Sequence, residues 1–69
     1  MYGIIWTDGQ IRESIDEHGK ANKYGKPKMV GTYKQAKSWV DKHSYKGMSF
    51  RYVIHEMTSE EVKRVKEWK

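Results

Sequence analysis

The chain has 69 residues, no cysteine and a formal net charge of +5. That length admits one domain, residues 1–69, with a small core, because a chain near this size buries only about 60% of the surface its unfolded form exposes. The lack of cysteine excludes disulfide staples and thiolate metal sites. Nine aromatic residues supply large apolar area per side chain, which favours a thin globular fold over a disordered tail.

The charge is unevenly placed. Residues 1–19 carry −3, residues 20–46 carry +7 and residues 47–69 carry +1. The middle block holds eight lysines against Asp41 alone. Such asymmetry points to a polyanion or an acidic protein surface as partner, set against the plainer reading of a solvated lysine surface. The start Met1-Tyr2-Gly3-Ile4-Ile5-Trp6 has no basic stretch and too short an apolar run for a secretory signal. No stretch approaches the roughly 18 apolar residues of a membrane span. A cytoplasmic, soluble protein without membrane contact is expected.

In chain order, Tyr2 to Thr7 reads as a strand. Asp8-Gly9 is a two-residue hairpin signal, because a type I′ turn needs positive φ at both central positions. Gln10 to Ile15 then returns, with Trp6 opposite Ile11, Ile4 opposite Glu13 and Tyr2 opposite Ile15. Alternation puts Tyr2, Ile4, Trp6, Ile11 and Ile15 on one face and a mostly polar set on the other. An open edge on this hairpin would offer a seat for a second copy, so a homodimer through it is an expectation.

Asp16 to Pro27 is polar, carries Gly19, Gly25 and Pro27, and reads as a basic loop at about 16–27. A loop this long in so small a domain is usually functional or mobile. Lys28 to Gly31 is a candidate short strand.

Two helix starts follow. Thr32-Tyr33-Lys34-Gln35 and Thr58-Ser59-Glu60-Glu61 both fit the capping box, in which hydroxyl and third-residue side chain satisfy each other's backbone amides. Ala36, Trp39, Val40 and His43 share one face of the first helix; Val62, Val65 and Trp68 mark the stripe of the second. Met57 and Val62 can staple the second start. Between the helices, Phe50 to Met57 reads as a strand with Phe50, Tyr52 and Ile54 pointing one way. The expected class is α+β, order β-β-(β)-α-β-α: a small antiparallel sheet, the N-terminal β-hairpin plus one or two further strands, packed by one face against one or both short helices.

No catalytic constellation is visible. The serines lack a glycine elbow, there is no glycine-rich phosphate loop, and a thin core leaves little room for a cleft that shifts paired carboxylates. His18, His43 and His55 fall on a loop, a helix end and a strand without ligand spacing, so neither metal nor cofactor is implied.

Nucleic acid is the better-supported partner. Lys20, Lys23, Lys26 and Lys28 surround Tyr24 in the loop, and Lys34 and Lys37 share a face of the first helix. Lysines neutralise phosphates and release counterions, while Tyr24 can stack on a base. A lysine-dominated surface favours DNA or RNA contact without sequence readout, since bidentate guanine recognition prefers arginine. The competing reading is a small regulator or inhibitor, of the kind phages and mobile elements make, docking on an acidic surface of a larger enzyme. Its support is the aromatic surplus, with Tyr24 and Tyr45 beside loops as candidate interface anchors.

Two short runs carry partial resemblances. Lys46, Gly47 and Phe50 match the strand signature of the RNA-recognition motif, whose strand aromatics stack bases, but length and element order differ from that fold; the reading adopted for Phe50 and Tyr52 is a place in the core. Gly31-Thr32-Tyr33, Tyr45-Lys46-Gly47 with Phe50-Arg51, and Thr58-Ser59-Glu60-Glu61 together resemble the small hybrid-binding domain attached to some ribonucleases H. Ala36 stands where that domain has a tryptophan, and the basic loop is extra. The resemblance implies nucleic-acid contact but stops short of a family assignment.

Overall fold

The computed structural model describes every residue except Tyr45, Lys46 and Lys69, and of Ser49 the backbone alone. The elements are β1 (Tyr2–Thr7), β2 (Arg12–Ser14), α1 (Tyr33–His43), a 3₁₀ helix (Met48–Arg51), β3 (Tyr52–Glu56) and α2 (Ser59–Lys66). The three strands form one antiparallel sheet in the order β2-β1-β3, an α+β fold of the expected class.

The β1–β2 register differs from the sequence reading. Thr7 pairs with Arg12, Trp6 with Glu13 and Ile5 with Ser14. The turn therefore holds four residues, Asp8 to Ile11. Asp8 Oδ1 accepts the amides of Gln10 and Ile11 at 2.9 and 2.8 Å, and Gly9 sits at φ 101°. An aspartate side chain that mimics a turn carbonyl competes with the tighter type I′ geometry. Ile11 is drawn into the turn and is 55% exposed rather than packed opposite Trp6. The slip is two residues, so each side chain keeps its face. The shift sets Ile4, expected opposite Glu13, beside Ile15 instead, with Ile15 N–H donating to the Ile4 carbonyl at 2.8 Å.

One sheet face carries the core. Ile4 and Ile15 are buried with Ala36 and Val40 of α1. Tyr2, Trp6, Val30, Trp39, Tyr52 and Ile54 pack round them. Trp39 meets Tyr52 edge-on at 5.5 Å, and His43 stacks on Trp39 at 4.1 Å. The Thr32 capping box forms as its spacing predicts: Gln35 N–H donates to the Thr32 hydroxyl at 3.1 Å and Thr32 N–H to Gln35 Oε1 at 3.2 Å.

The helices do not share that face. Gly3, Ile5, Arg12, Ser14 and His55 point to the other side, where they line a groove with Glu61, Arg64, Val65 and Trp68 of the α2 segment. The sheet thus stands between α1 and α2. His55 Nε2 lies 3.0 Å from both Glu61 carboxylate oxygens and ties β3 to α2. The Thr58 capping box is also formed.

Two further corrections concern the third strand. Phe50 and Arg51 belong to the 3₁₀ helix, and Phe50 is 68% exposed rather than in the core. Tyr52 is half-buried against the core as expected. The segment Lys28 to Gly31 contributes one bridge: Val30 and Tyr2 exchange both backbone hydrogen bonds at 2.8 and 2.9 Å, filling the edge of β1 beyond the end of β2. On the outer edge of β2, Ser14 carbonyl accepts the Asn22 amide at 3.0 Å and Ile15 bridges Ala21. The loop therefore covers part of the hairpin edge considered for a second copy. Among the described residues no helix is long and apolar enough to cross a membrane.

Candidate nucleic-acid interface

The basic loop is a built structure. Its hub is Asp16, only 5% exposed. Asp16 Oδ1 accepts the His18 and Lys20 amides at 2.9 and 3.0 Å, and Oδ2 accepts Asn22 Nδ2 at 3.4 Å. Asp16 N–H in turn donates to the Lys20 carbonyl at 2.8 Å. These bonds, the Lys20 amide foremost, outweigh desolvation and hold the Asp16 carboxyl below its ordinary value. Further along, Glu17 N–H donates to the Lys26 carbonyl and Lys28 N–H to the Ile15 carbonyl, both at 2.9 Å. Gly19 closes the first turn at φ 85°, where a side chain would be strained and would meet the Trp39 ring at 3.7 Å. The turn thus abuts α1.

This scaffold presents Tyr24. Asn22 Oδ1 accepts the Tyr24 amide at 3.0 Å, and the Tyr24 side chain is 80% exposed. Lys23 Nζ lies 5.3 Å from its ring centroid, within cation–π reach. Lys20 and Lys23 are exposed; Lys26 and Lys28 are half-buried.

The seven predicted contact residues do not all gather on one side. Lys34 and Lys37 are exposed on α1, the helix that the first loop turn abuts. Lys37 lies 3.7 Å from Asp41, a pairing between two exposed side chains that adds little. It also lines a cleft of about 280 Å3 with Tyr33, Phe50 and Tyr52 on the α1 side of the sheet. Lys28 instead lines the groove on the opposite side. Tyr45 lies outside the described residues.

Sequence reasoning missed two features. Asp16 as the loop's organiser left only a weak signal, an Asp two residues before an exposed turn position, which is the pattern of an Asx turn. The exposed pair Tyr33 and Phe50 beside Lys37 left none, because Phe50 read as part of a strand. The three histidines stand in separate settings: His18 exposed beside Glu17, His43 stacked on Trp39 and His55 joined to Glu61.

No family model matches the chain, and neither the curated proteins nor the solved structures give a match.

Proposed function

We propose that this protein is a small non-enzymatic binding module that holds single-stranded DNA or RNA with little sequence preference. The observation that carries the reading is Tyr24, outward on a loop whose backbone is pinned by Asp16, with Lys20 and Lys23 exposed beside it. An aromatic presented on an ordered loop stacks on a base at low entropic cost, and adjacent lysines take the flanking phosphates. Lys34 and Lys37 of α1 extend the track; Lys26 contributes from its half-buried position, and Lys28 stands apart. The module works in the cytoplasm, where such strands are exposed to it.

Fluorescence anisotropy with a labelled oligothymidylate, read across a salt series, tests the reading. Four or five lysine–phosphate contacts give a slope of log K against log salt of about −3, since each contributes roughly −0.7 on a single strand. Replacing Tyr24 by alanine weakens binding by about 1 kcal/mol or more, roughly fivefold. A flat salt series, or a Tyr24→Ala protein that binds as tightly as the parent, contradicts it.

A second reading, docking on an acidic surface of a larger enzyme, is favoured by Phe50 and Tyr33. Both are exposed beside Lys37 at the smaller cleft, in the manner of interface anchors. A protein retained by the immobilised chain after nuclease treatment, and lost with Phe50→Ala but not with Tyr24→Ala, supports this reading over the first.

A further inference from the structure

The sheet face turned away from α1 holds a groove that nucleic-acid contact by the loop does not use. Gly3 and Ile5 form its floor, and Met57, Val65 and Trp68 add apolar walls. Its volume is about 450 Å3, within the range of roughly 300–1000 Å3 typical of small-molecule sites. Round it stand Arg12, Lys28 and Arg64. Two of the chain's three arginines are therefore here. Among the described residues none of these three cations is ion-paired. The groove's one carboxylate, Glu61, accepts from the Thr58 amide at 2.9 Å and lies 3.0 Å from His55 Nε2, and among the described residues it pairs with none of the three cations.

We propose that this groove binds a small planar aromatic anion, a flat ring system bearing a phosphate or a carboxylate. The ring lies over Ile5 and against Trp68, and the anion faces the guanidinium groups of Arg12 and Arg64. Each half of the ligand answers a separate feature. Guanidinium groups match the two-oxygen geometry of carboxylate and phosphate. The apolar floor adds nothing for a bare inorganic ion, and a neutral ring forgoes the charge-assisted contact with the guanidinium groups. Gly3 keeps the floor open: a side chain there would meet Met57 Sδ at 3.6 Å and the Lys28 carbonyl at 3.8 Å, ordinary contact distances. An alanine at this place folds but raises the floor by a methyl group.

The test is titration of the full chain with naphthyl phosphate, naphthoate, neutral naphthol and inorganic phosphate, followed by amide resonance shifts. Naphthyl phosphate or naphthoate shifts Gly3, Ile5, Arg12, Met57 and Arg64, and binds at least about tenfold tighter than naphthol or inorganic phosphate, the gain expected of a charge-assisted contact. Whichever of the two binds tighter identifies the anionic group. An Arg12→Gln, Arg64→Gln protein loses that preference for the anion, and Gly3→Ala weakens the aromatic ligands without changing it. Both variants leave Tyr24 and the loop lysines intact, so oligothymidylate binding measured beside them separates this groove from the loop. Equal affinity for naphthol and naphthyl phosphate, shifts that map to other residues, or a double variant that binds like the parent overturns the proposal.

Discussion

Asp16 and Lys20 hold each other by two hydrogen bonds, one between their backbones and one to the Asp16 carboxylate. Asp16 N–H donates to the Lys20 carbonyl at 2.8 Å, and Lys20 N–H returns to Asp16 Oδ1 at 3.0 Å. This reciprocal pair turns a polar, glycine-bearing stretch into a fixed platform. It also sets Lys20 at the surface while its neighbour Gly19 abuts α1. The basic loop owes its shape to an acidic residue.

Removing that residue loosens the loop first. Asp16→Ala deletes the acceptor for His18, Lys20 and Asn22. The His18 and Lys20 amides then exchange with solvent far faster, and the melting temperature falls. Asp16→Asn keeps an oxygen acceptor without the charge and falls between the two proteins. Hydrogen exchange by residue reads the order. Equal exchange in parent and alanine proteins contradicts the hub.

The hairpin register makes a sharper prediction. Ile11 sits in the Asp8–Ile11 turn and is mostly exposed. Ile11→Thr therefore changes stability by no more than about 0.5 kcal/mol, as at other exposed positions. Were Ile11 packed opposite Trp6, losing that contact would cost more. Asp8→Ala removes the acceptor for both turn amides and is the more harmful of the two substitutions. Urea titration of each protein compares them.

The core prediction follows from size. Ile4 is 1% exposed at the centre of the four-residue core. Ile4→Ala costs about 2–5 kcal/mol, comparable to the whole stability of so short a chain. Ile4→Val costs about 0.5–1.5 kcal/mol and keeps the fold. Circular dichroism shows the first largely unfolded and the second cooperative.

Acid sensitivity is centred on Glu61. The Thr58 amide first, then His55, hold its carboxyl down at about 2 against an ordinary value of 4.5. A carboxylate depressed on folding contributes stability that is complete above the unfolded value and is lost as pH falls through the folded one. The loss therefore runs from about pH 4.5 down to about 2. Glu61→Gln is less stable than the parent near neutral pH, and the two converge as pH falls through this window. Parallel stability curves contradict the assignment. Asp8 and Asp16 are lowered in the same direction, so the parent goes on losing stability for their sake as well.

Much of the fold was legible because it rests on local rules. Both capping boxes follow from a threonine and a side-chain acceptor three residues on. The buried face of β1 follows from alternation, and it survived a register slip because the slip was even. The register itself was not legible, since Asp8-Gly9 suits a two-residue turn and a four-residue turn equally until the Asp8 side chain chooses its amides. Phe50 was misplaced for a related reason. Its spacing to Tyr52 and Ile54 fits a strand, but the chain enters β3 through a 3₁₀ turn that swings Phe50 into solvent. For the candidate site, charge and Tyr24 were readable, while the division of Lys28 from Lys37 was not. Their separation depends on the loop tying Lys28 to the Ile15 carbonyl while α1 packs on the core face of the sheet, a tertiary arrangement that no local pattern encodes.

In the proposed function the pinned loop and α1 together form the working surface. Amide and side-chain resonance mapping during titration with oligothymidylate reads that surface residue by residue. Shifts are expected at Lys20, Lys23, Tyr24, Lys34 and Lys37, fading as salt rises, with little change at Ile5, Arg12 and Arg64. Shifts confined to the groove beside Arg12 and Arg64, or none at any residue, would contradict the proposed function.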